Sequence, residues 1–431
     1  MMAARTKSSV TTEFSTTNST PRHRWRPADG ISKLFSSPAS KLSHPQADFY
    51  LVLGAASMLA LVGVLMIWSA SSVYASVNQL GPYYYLQRQI IFLAIGGPVA
   101  WGLSRCGTRT IYGVGFAGIL VSVVLLLAVH TPLGVELYGN RAWLNVGPLG
   151  TIQPSEFAKV ALVMWAAGFV ALRKRTHNDP AKWVPQMVTV FGIIECLVLA
   201  QKDLGTMVVI GMILMAVLIF AEAPWKWLAW LTVAAVTGVL LMIATDAERR
   251  TRILSFLHPE SAVSDQPNNA IYALASGGWL GLGLGRSRQK WGGLYNGAQT
   301  DYVFAVLGEE TGLVGTLGVI SLFLVLVFAG FRAASRCTSR SLGHAAAGMT
   351  AWLGLQALIN IAVVLRVAPV LGIPLPFLSQ GGSALLANLA GVGVILAAAR
   401  REPGVSQSAT TTPDKPQRTP RITSVVDTPG G

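Results

Sequence analysis

The sequence predicts an all-α polytopic membrane protein with about ten transmembrane helices and both termini in the cytoplasm. Of its 431 residues, 52% are hydrophobic and only 12% are charged, and the mean hydropathy is +0.51. This is more apolar sequence than one soluble core buries, with too few charges to cover it. Apolar runs of about 17 to 25 residues, long enough to cross roughly 30 Å of hydrocarbon, recur along the chain.

We expect ten such runs to be helices, because backbone polar groups cannot stay unpaired in lipid. They cover residues 49–71, 89–104, 111–129, 154–172, 183–200, 205–222, 226–245, 302–330, 345–365 and 384–400. The membrane domain therefore spans 49–400, with a large extracytoplasmic loop at about 246–300. Residues 1–48 and 401–431, rich in Ser, Thr, Pro and basic residues, are predicted to be disordered cytoplasmic tails.

The orientation follows from the cations of the short loops. Lys and Arg concentrate on the side that would be cytoplasmic, and the short outer loops hold little more than Arg88, Arg141 and Lys202. The loop 246–300 is also basic, but long loops escape this rule. We assign much of the net charge of +14 to segments that lie on anionic lipid, and not to nucleic-acid binding.

Nothing in the sequence predicts a metal or disulfide framework. The three cysteines are far apart, and the six histidines have no ligand spacing. No Ser, His and Asp arrangement has local support. The sequence therefore predicts no metal site and no certain cofactor, and leaves open whether a divalent cation assists.

Two polar regions flank the fourth and sixth spans. In "YGNRAWLNVGPLGTIQPSEFAK", residues 138–159, Pro154 fits a helix start, and Glu156 and Lys159 share one helix face. They form either an internal ion pair or a pair that faces substrate. In "QKDLGT", Asp203 either caps the next helix or lines a polar cavity.

Two further regions have irregular backbone. In "ALASGGWLGLGLGRSRQKWGGLYNGAQTD", residues 273–301, no dinucleotide motif is completed, but glycines precede Arg286, Arg288 and Lys290. Exposed backbone N–H groups beside cations suit a diphosphate, and a basic loop on anionic lipid is the alternative. The region "LRVAPVLGIPLPFLSQGGSALLAN", 365–388, is either a re-entrant wall or an ordinary outer loop.

Three carboxylates in "NGAQTDYVFAVLGEE" raise the question of why a membrane helix would contain them. On a straight helix, Asp301 and Glu309 are about 12 Å apart along the axis, and Glu310 faces nearly opposite Asp301. They therefore cannot flank one scissile bond at about 5 to 9.5 Å. We expect both glutamates to be paired within the protein. Asp301 alone, at the membrane–water edge, suits a general base that takes a proton from a sugar hydroxyl while a diphosphate leaves.

Five motifs, in order, carry a resemblance to a known family. QPSEFAK, KDLGT, ALASGGWLGLGLGRSRQKWG, TDYVFAVLGEE and PLPFLSQGGS, spread over about residues 50–400, resemble the SEDS (shape, elongation, division, sporulation) family of peptidoglycan polymerases. The resemblance is closer to the division members than to the elongation members. It implies a glycosyltransferase of the bacterial cytoplasmic membrane that polymerises lipid II at the outer face, with septal synthesis favoured over lateral synthesis.

The resemblance also implies partners and residue roles. Lipid II and the nascent glycan strand would be the substrates, and a class B penicillin-binding transpeptidase and other divisome membrane proteins the partners. Asp301 matches the family's essential aspartate, the base for the 4-hydroxyl of the accepting sugar, in an inverting reaction that expels undecaprenyl pyrophosphate. The predicted substrate-binding residues are Arg141, Glu156, Lys159, Asp203, Arg286, Lys290, Ser379, Gly381 and Gly382.

Two departures from the family pattern stand in these motifs. Gln299 replaces a histidine two residues before the aspartate, which removes a titratable neighbour of the base. The second departure is SQGGSA, with Gln380, in place of SYGGSS. Two rival functions remain: a transporter that flips lipid-linked precursors, which would move substrate without Asp301, and a scaffold that acts through its tails.

Overall fold

The computed structural model describes residues 46–402, except 138–139, 148–149, 177–178, 246–249, 252–253, 255 and 257–264. Nearly all of both predicted tails and part of the predicted loop 246–300 therefore lie outside the described residues.

Helices occupy all ten predicted spans. They are α1 (Ala47–Val77), α2 (Tyr84–Arg105), α3 (Thr108–Ala128), α4 (Pro154–Thr176), α5 (Pro180–Ala200), α6 (Leu204–Phe220), α7 (Trp225–Thr245), α9 (Val303–Arg336), α10 (Arg340–Val364) and α11 (Gly382–Ala399), with α8 (Asp265–Gly277) in the predicted loop. Among the described residues, seven helices are long and apolar enough to cross a membrane. The prediction of an all-α polytopic membrane protein is confirmed.

Two elements were not predicted. Helix α8 lies within the predicted loop, and an antiparallel sheet of β1 (Gly134–Leu137), β2 (Asn140–Asn145) and β3 (Thr151–Ile152) joins α3 to α4. In the sheet, Leu144 of β2 pairs with both other strands. These elements are short and partly polar, so they carry no hydropathy signal of the kind that predicts a span.

The spanning helices alternate in direction and give the bundle two ends. We call the end that holds Asp301 the site end, and the end that holds Asp48 and Glu402 the tail end. Small residues let neighbouring helices approach closely, as is common in membrane bundles. A methyl group on Gly115 of α3 would lie 2.6 Å from the backbone nitrogen of Trp165 in α4.

Helix α9 is interrupted, whereas the distances between its carboxylates were predicted for a straight helix. Gly312 has φ 68° and ψ −164°, a conformation that interrupts the helix and that is essentially restricted to glycine. The glycine-rich segment 277–283 fits into this break: the N–H of Leu282 donates to the Glu309 carbonyl at 2.9 Å, and the N–H of Leu313 donates to the Gly278 carbonyl at 2.9 Å. The glycines of this segment therefore serve backbone packing against α9.

A buried ionic cluster joins the first and last helices to α9 at the tail end. Asp48, in the first turn of α1, pairs with Arg332 at 3.1 Å, and Arg336 lies 3.7 Å from Asp48 and 3.6 Å from Glu402. Burial and the neighbouring Asp48 carboxylate raise the pKa of Glu402 to about 8. A protonated Glu402 allows two carboxyl groups to be buried together.

Candidate active site

The segment 366–381, between α10 and α11, enters the bundle and is called here the re-entrant segment. Leu375, Phe377 and Leu378 are at most 1% exposed. The Phe377 carbonyl lies against Gly63, where a methyl group would be 2.1 Å from the oxygen. Gly63 is 14 residues before the end of α1, about 21 Å along the helix axis. The structure thus favours the re-entrant wall over the ordinary outer loop.

Asp301 lies in a turn immediately before α9. The Gly297 carbonyl closes this turn by accepting hydrogen bonds from the N–H groups of Thr300 and Tyr302, at 3.1 and 3.0 Å. Asp301 is partly exposed, whereas Tyr302 is buried. A methyl group on Gly372 of the re-entrant segment would lie 3.8 Å from Asp301 Oδ2. The predicted base therefore lies beside the re-entrant segment at the site end.

Three consecutive backbone carbonyls of this turn accept hydrogen bonds from elsewhere in the chain. The Gln299 carbonyl accepts from the Gln380 N–H at 2.7 Å. The Thr300 carbonyl accepts from Ser379 Oγ at 2.5 Å, and the Asp301 carbonyl accepts from Asn360 Nδ2 at 2.8 Å. The two residues that depart from the family pattern, Gln299 and Gln380, are thus hydrogen-bonded neighbours.

Glu156 and Lys159 form a buried ion pair at 2.9 Å, each residue being 1% exposed. Lys159 Nζ also donates to Gln356 Oε1 at 3.2 Å, and Gln356 Nε2 donates to the Pro374 carbonyl of the re-entrant segment at 2.9 Å. Of the two alternatives for this pair, the geometry favours an internal ion pair. Its contact with substrate stays a prediction.

Asp203 caps α6, as one of its two predicted roles requires. Its Oδ1 accepts from the Thr206 N–H at 2.9 Å, and its Oδ2 accepts from Gln153 Nε2 at 2.9 Å. Next to it, a methyl group on Gly205 would lie 2.3 Å from the Leu371 carbonyl. Asp203 therefore fixes the contact between the start of α6 and the re-entrant segment.

Glu309 and Glu310 hold the basic loop in place, which answers the question that the three carboxylates raised. Glu309 accepts from Ser287 Oγ at 2.5 Å and from the Arg288 N–H at 2.9 Å. Glu310 pairs with Lys290 at 3.0 Å. Both carboxylates are buried, and both are paired as expected.

Lys290 does not have the exposed position that the sequence analysis expected for a diphosphate ligand. Its side chain is 1% exposed, and its ammonium group donates to Glu310, to Ser69 Oγ at 3.1 Å and to the Ser69 carbonyl at 3.3 Å. An ammonium has three N–H donors, and all three are used. The contact of Ser69 of α1 with this loop was not predicted.

Arg286 is exposed, but three N–H groups of the glycine-rich segment before it are used within the protein. The N–H groups of Gly281, Leu282 and Gly283 donate to the carbonyls of Gly277, Glu309 and Glu310, respectively. These three N–H groups are therefore not available to a diphosphate, and diphosphate binding elsewhere on the segment stays a prediction. Of the predicted diphosphate ligands, Arg286 keeps an accessible charge, next to the exposed Arg288.

The remaining predicted residues have varied surroundings. Arg141 is exposed on β2 and donates to the Thr131 carbonyl at 2.8 Å. Ser379 uses its hydroxyl internally, since it also accepts from the Leu375 N–H at 2.8 Å. Gly382 begins α11, where a methyl group would lie 2.1 Å from the Phe92 ring, and Gly381 precedes it with extended backbone. Direct substrate contact by these residues stays a prediction.

Two buried amides that connect these groups were not predicted. Gln356 and Asn360 are one helical turn apart on α10, are almost fully buried, and donate to successive parts of the re-entrant segment. Two amides at i and i+4 in an apolar span would share one face, and this spacing could have marked them. Within the described ranges, no group of three or more His, Cys, Asp or Glu residues could hold a metal ion.

Comparisons with known proteins show the family to which the chain is similar. The model of the cell cycle protein family that groups FtsW, RodA and SpoVE matches residues 49–403. The chain is 37% identical to the probable peptidoglycan glycosyltransferase FtsW of Nitrosococcus halophilus, over 85% of this chain and 96% of that protein. It is 33% identical to the protein of the same name from Mycobacterium tuberculosis, over 84% of this chain and 70% of that protein.

Solved structures resemble it as well. A chain from a study of how a peptidoglycan synthase complex coordinates polymerisation and crosslinking matches with a TM-score of 0.65 and 27% identity, covering 81% of this chain and 96% of that one. The rod shape determining protein RodA of Thermus thermophilus matches with a TM-score of 0.60 and 26% identity, covering 82% and 97%.

Proposed function

The chain belongs to the cell cycle protein family of FtsW, RodA and SpoVE, and from that premise we propose that it is a peptidoglycan glycosyltransferase that polymerises lipid II with Asp301 as general base. It is a multi-pass membrane protein. The observation that carries the proposal is a partly exposed aspartate in a backbone turn that three hydrogen bonds hold at the site end.

In the proposed reaction, the 4-hydroxyl of the accepting sugar attacks the anomeric carbon at the reducing end of the growing strand. The new C–O bond forms as the bond from that carbon to the pyrophosphate oxygen breaks, so the configuration inverts. Asp301 takes the hydroxyl proton, and undecaprenyl pyrophosphate leaves with the bonding electron pair. Positioned base catalysis contributes about 10² to 10⁴ in rate, and an activated leaving group removes the need for a second carboxylate.

The charge of the leaving diphosphate has to be balanced near Asp301. We propose Arg286, with Arg288 beside it, for this role, because both are exposed on the loop that the two glutamates hold. Guanidinium groups suit phosphate oxygens because they donate two hydrogen bonds in one plane. Lys290 is left out of this set, since all three of its donors are used within the protein.

The site end is proposed to face the outside of the cytoplasmic membrane. The tail end carries Arg332, Arg336 and Arg401, in agreement with the excess of cations expected on the cytoplasmic side. A class B penicillin-binding transpeptidase is the proposed partner, together with other divisome proteins at the septum. The relation to a structure from a synthase complex that coordinates polymerisation and crosslinking supports a crosslinking partner.

Labelled lipid II tests the proposal. The purified protein, with its cognate transpeptidase, should form glycan polymer, and Asp301→Asn should slow polymerisation at least about 100-fold, because the amide keeps the shape of the side chain and loses its basicity. The matched control is Glu136→Gln, which neutralises an exposed carboxylate on β1 at the same end. This variant should polymerise lipid II at the wild-type rate.

Two results would contradict the assignment. Full polymerisation by Asp301→Asn would remove Asp301 as the base. Transbilayer movement of lipid II in vesicles, unchanged in Asp301→Asn and without any polymer from the wild type, would favour the transporter.

A further inference from the structure

Asn360 connects the turn of Asp301 to the re-entrant segment through a single amide group. It lies on α10 and is 1% exposed. Its Nδ2 donates to the Asp301 carbonyl at 2.8 Å and to the Ile373 carbonyl at 2.8 Å. Both N–H bonds of the amide are therefore used, one on each side of the interface between the turn and the segment.

The other two restraints on this turn come from the re-entrant segment itself. Ser379 and Gln380 hold the carbonyls of Thr300 and Gln299. Among these three restraints, only that of Asn360 acts on the residue that carries the proposed base, and only that one arises from a continuous helix. The helix gives the amide a fixed position against which the turn and the segment are both aligned.

We propose that Asn360 is a positioning residue that sets the direction of the Asp301 carboxylate relative to the re-entrant segment. This inference rests on the proposed function of Asp301 as the base. A displacement of about 1 Å in a reacting group can cost about 100-fold in rate. The Asn360 donors act on backbone carbonyls, so the residue affects the chemical step and not the binding of lipid II.

The remaining atom of the amide supports this assignment. Asn360 Oδ1 is buried and has no hydrogen-bond partner within the described part of the chain. A buried amide oxygen without a partner costs free energy, so hydrogen bonding by this oxygen does not explain the presence of an amide at this position. Its two donors account for the choice of an amide at this position in an apolar span.

The test compares two substitutions with a matched control. Asn360→Ala removes both donors, and Asn360→Asp keeps the shape while its carboxylate cannot donate. The control is Asn388→Ala, which removes an equally buried amide from α11. In the lipid II assay, we expect kcat to fall about 10- to 100-fold in both Asn360 variants. KM should stay within about threefold of wild type, and Asn388→Ala should keep the wild-type kcat.

Distinct outcomes separate this inference from the proposed function. If Asp301→Asn is inactive and both Asn360 variants keep wild-type kcat, the positioning role is wrong and the base assignment stands. If Asp301→Asn is active, both fail. Should Asn360→Ala not fold, Asn360→Asp carries the test, and a normal kcat in that variant overturns the inference.

Discussion

Lys290, a cation of the basic loop, has either a structural or a ligand-binding role, and disruption of its buried pair with Glu310 distinguishes the two. The three N–H donors of the ammonium group reach Glu310 Oε1 at 3.0 Å, Ser69 Oγ at 3.1 Å and the Ser69 carbonyl at 3.3 Å. Replacement of Lys290 by Met keeps a side chain of similar length and removes all three. Glu310 would then be a buried carboxylate without its cation.

The size of the effect follows from what remains around Glu310. Breaking a buried ion pair by removal of one partner costs about 3–5 kcal/mol. Two donors stay with the carboxylate, Ser69 Oγ at 2.6 Å and the Ser287 N–H at 3.3 Å, so we expect the lower part of that range, about 3 kcal/mol. The double variant Lys290→Met with Glu310→Gln removes the charge as well and should recover about 2 kcal/mol.

The measurement is the free energy of unfolding from denaturant titration in detergent, followed by tryptophan fluorescence. Lys226→Met serves as the control, because Lys226 is exposed at the tail end of the bundle. The structural role of Lys290 is refuted if the unfolding free energy of Lys290→Met stays within about 1 kcal/mol of the wild-type value while its KM for lipid II rises at least tenfold. That result would show that the cation binds the diphosphate and not Glu310.

Three further predictions concern other parts of the fold. Burial and the Asp48 charge raise the pKa of Glu402 to about 8, so its stabilising contribution is complete below its ordinary pKa of 4.5 and is lost as pH rises through about 8. The melting temperature of the wild type should therefore fall between pH 4.5 and about 8, and that of Glu402→Gln should fall less. Equal dependence of the two melting temperatures on pH would contradict this. Gly312→Ala should cost about 1–3 kcal/mol from backbone strain, measured against Gly318→Ala, which has open space around it; equal stability of the two would disprove the break in α9. Asp203→Ala should lose about 1 kcal/mol with its helix cap, and an unchanged unfolding free energy would exclude that role.

Much of the architecture could be predicted because hydropathy and local chemistry act over short distances. The ten spans depend on runs of about 20 residues, and the start of α4 at Pro154 and the cap at Asp203 depend on residues within one turn. The break at Gly312 could not be predicted in this way. A glycine within an apolar span is common in membrane helices, and its positive φ depends on a segment that packs against it from the preceding loop.

Partners across the bundle set a second limit on what the sequence reveals. Lys159 and Gln356 are 197 residues apart, and Lys290 and Ser69 are 221 apart, yet each pair forms a hydrogen bond. Before the helices are packed, nothing distinguishes a cation that is paired inside the protein from one that faces a ligand. The sequence therefore could not assign Lys290 to its carboxylate, and the substrate contacts of the predicted site residues stay predictions.

The way in which the turn of Asp301 is held has a chemical consequence for a base. Hydrogen bonds donated to a carboxylate favour its charged form and so weaken its affinity for a proton. The restraints from Asn360, Ser379 and Gln380 instead act on the carbonyls of residues 299–301 and on none of the carboxylate oxygens. As the proposed base, Asp301 is thus oriented by these three restraints through its backbone, and they do not themselves lower its affinity for a proton.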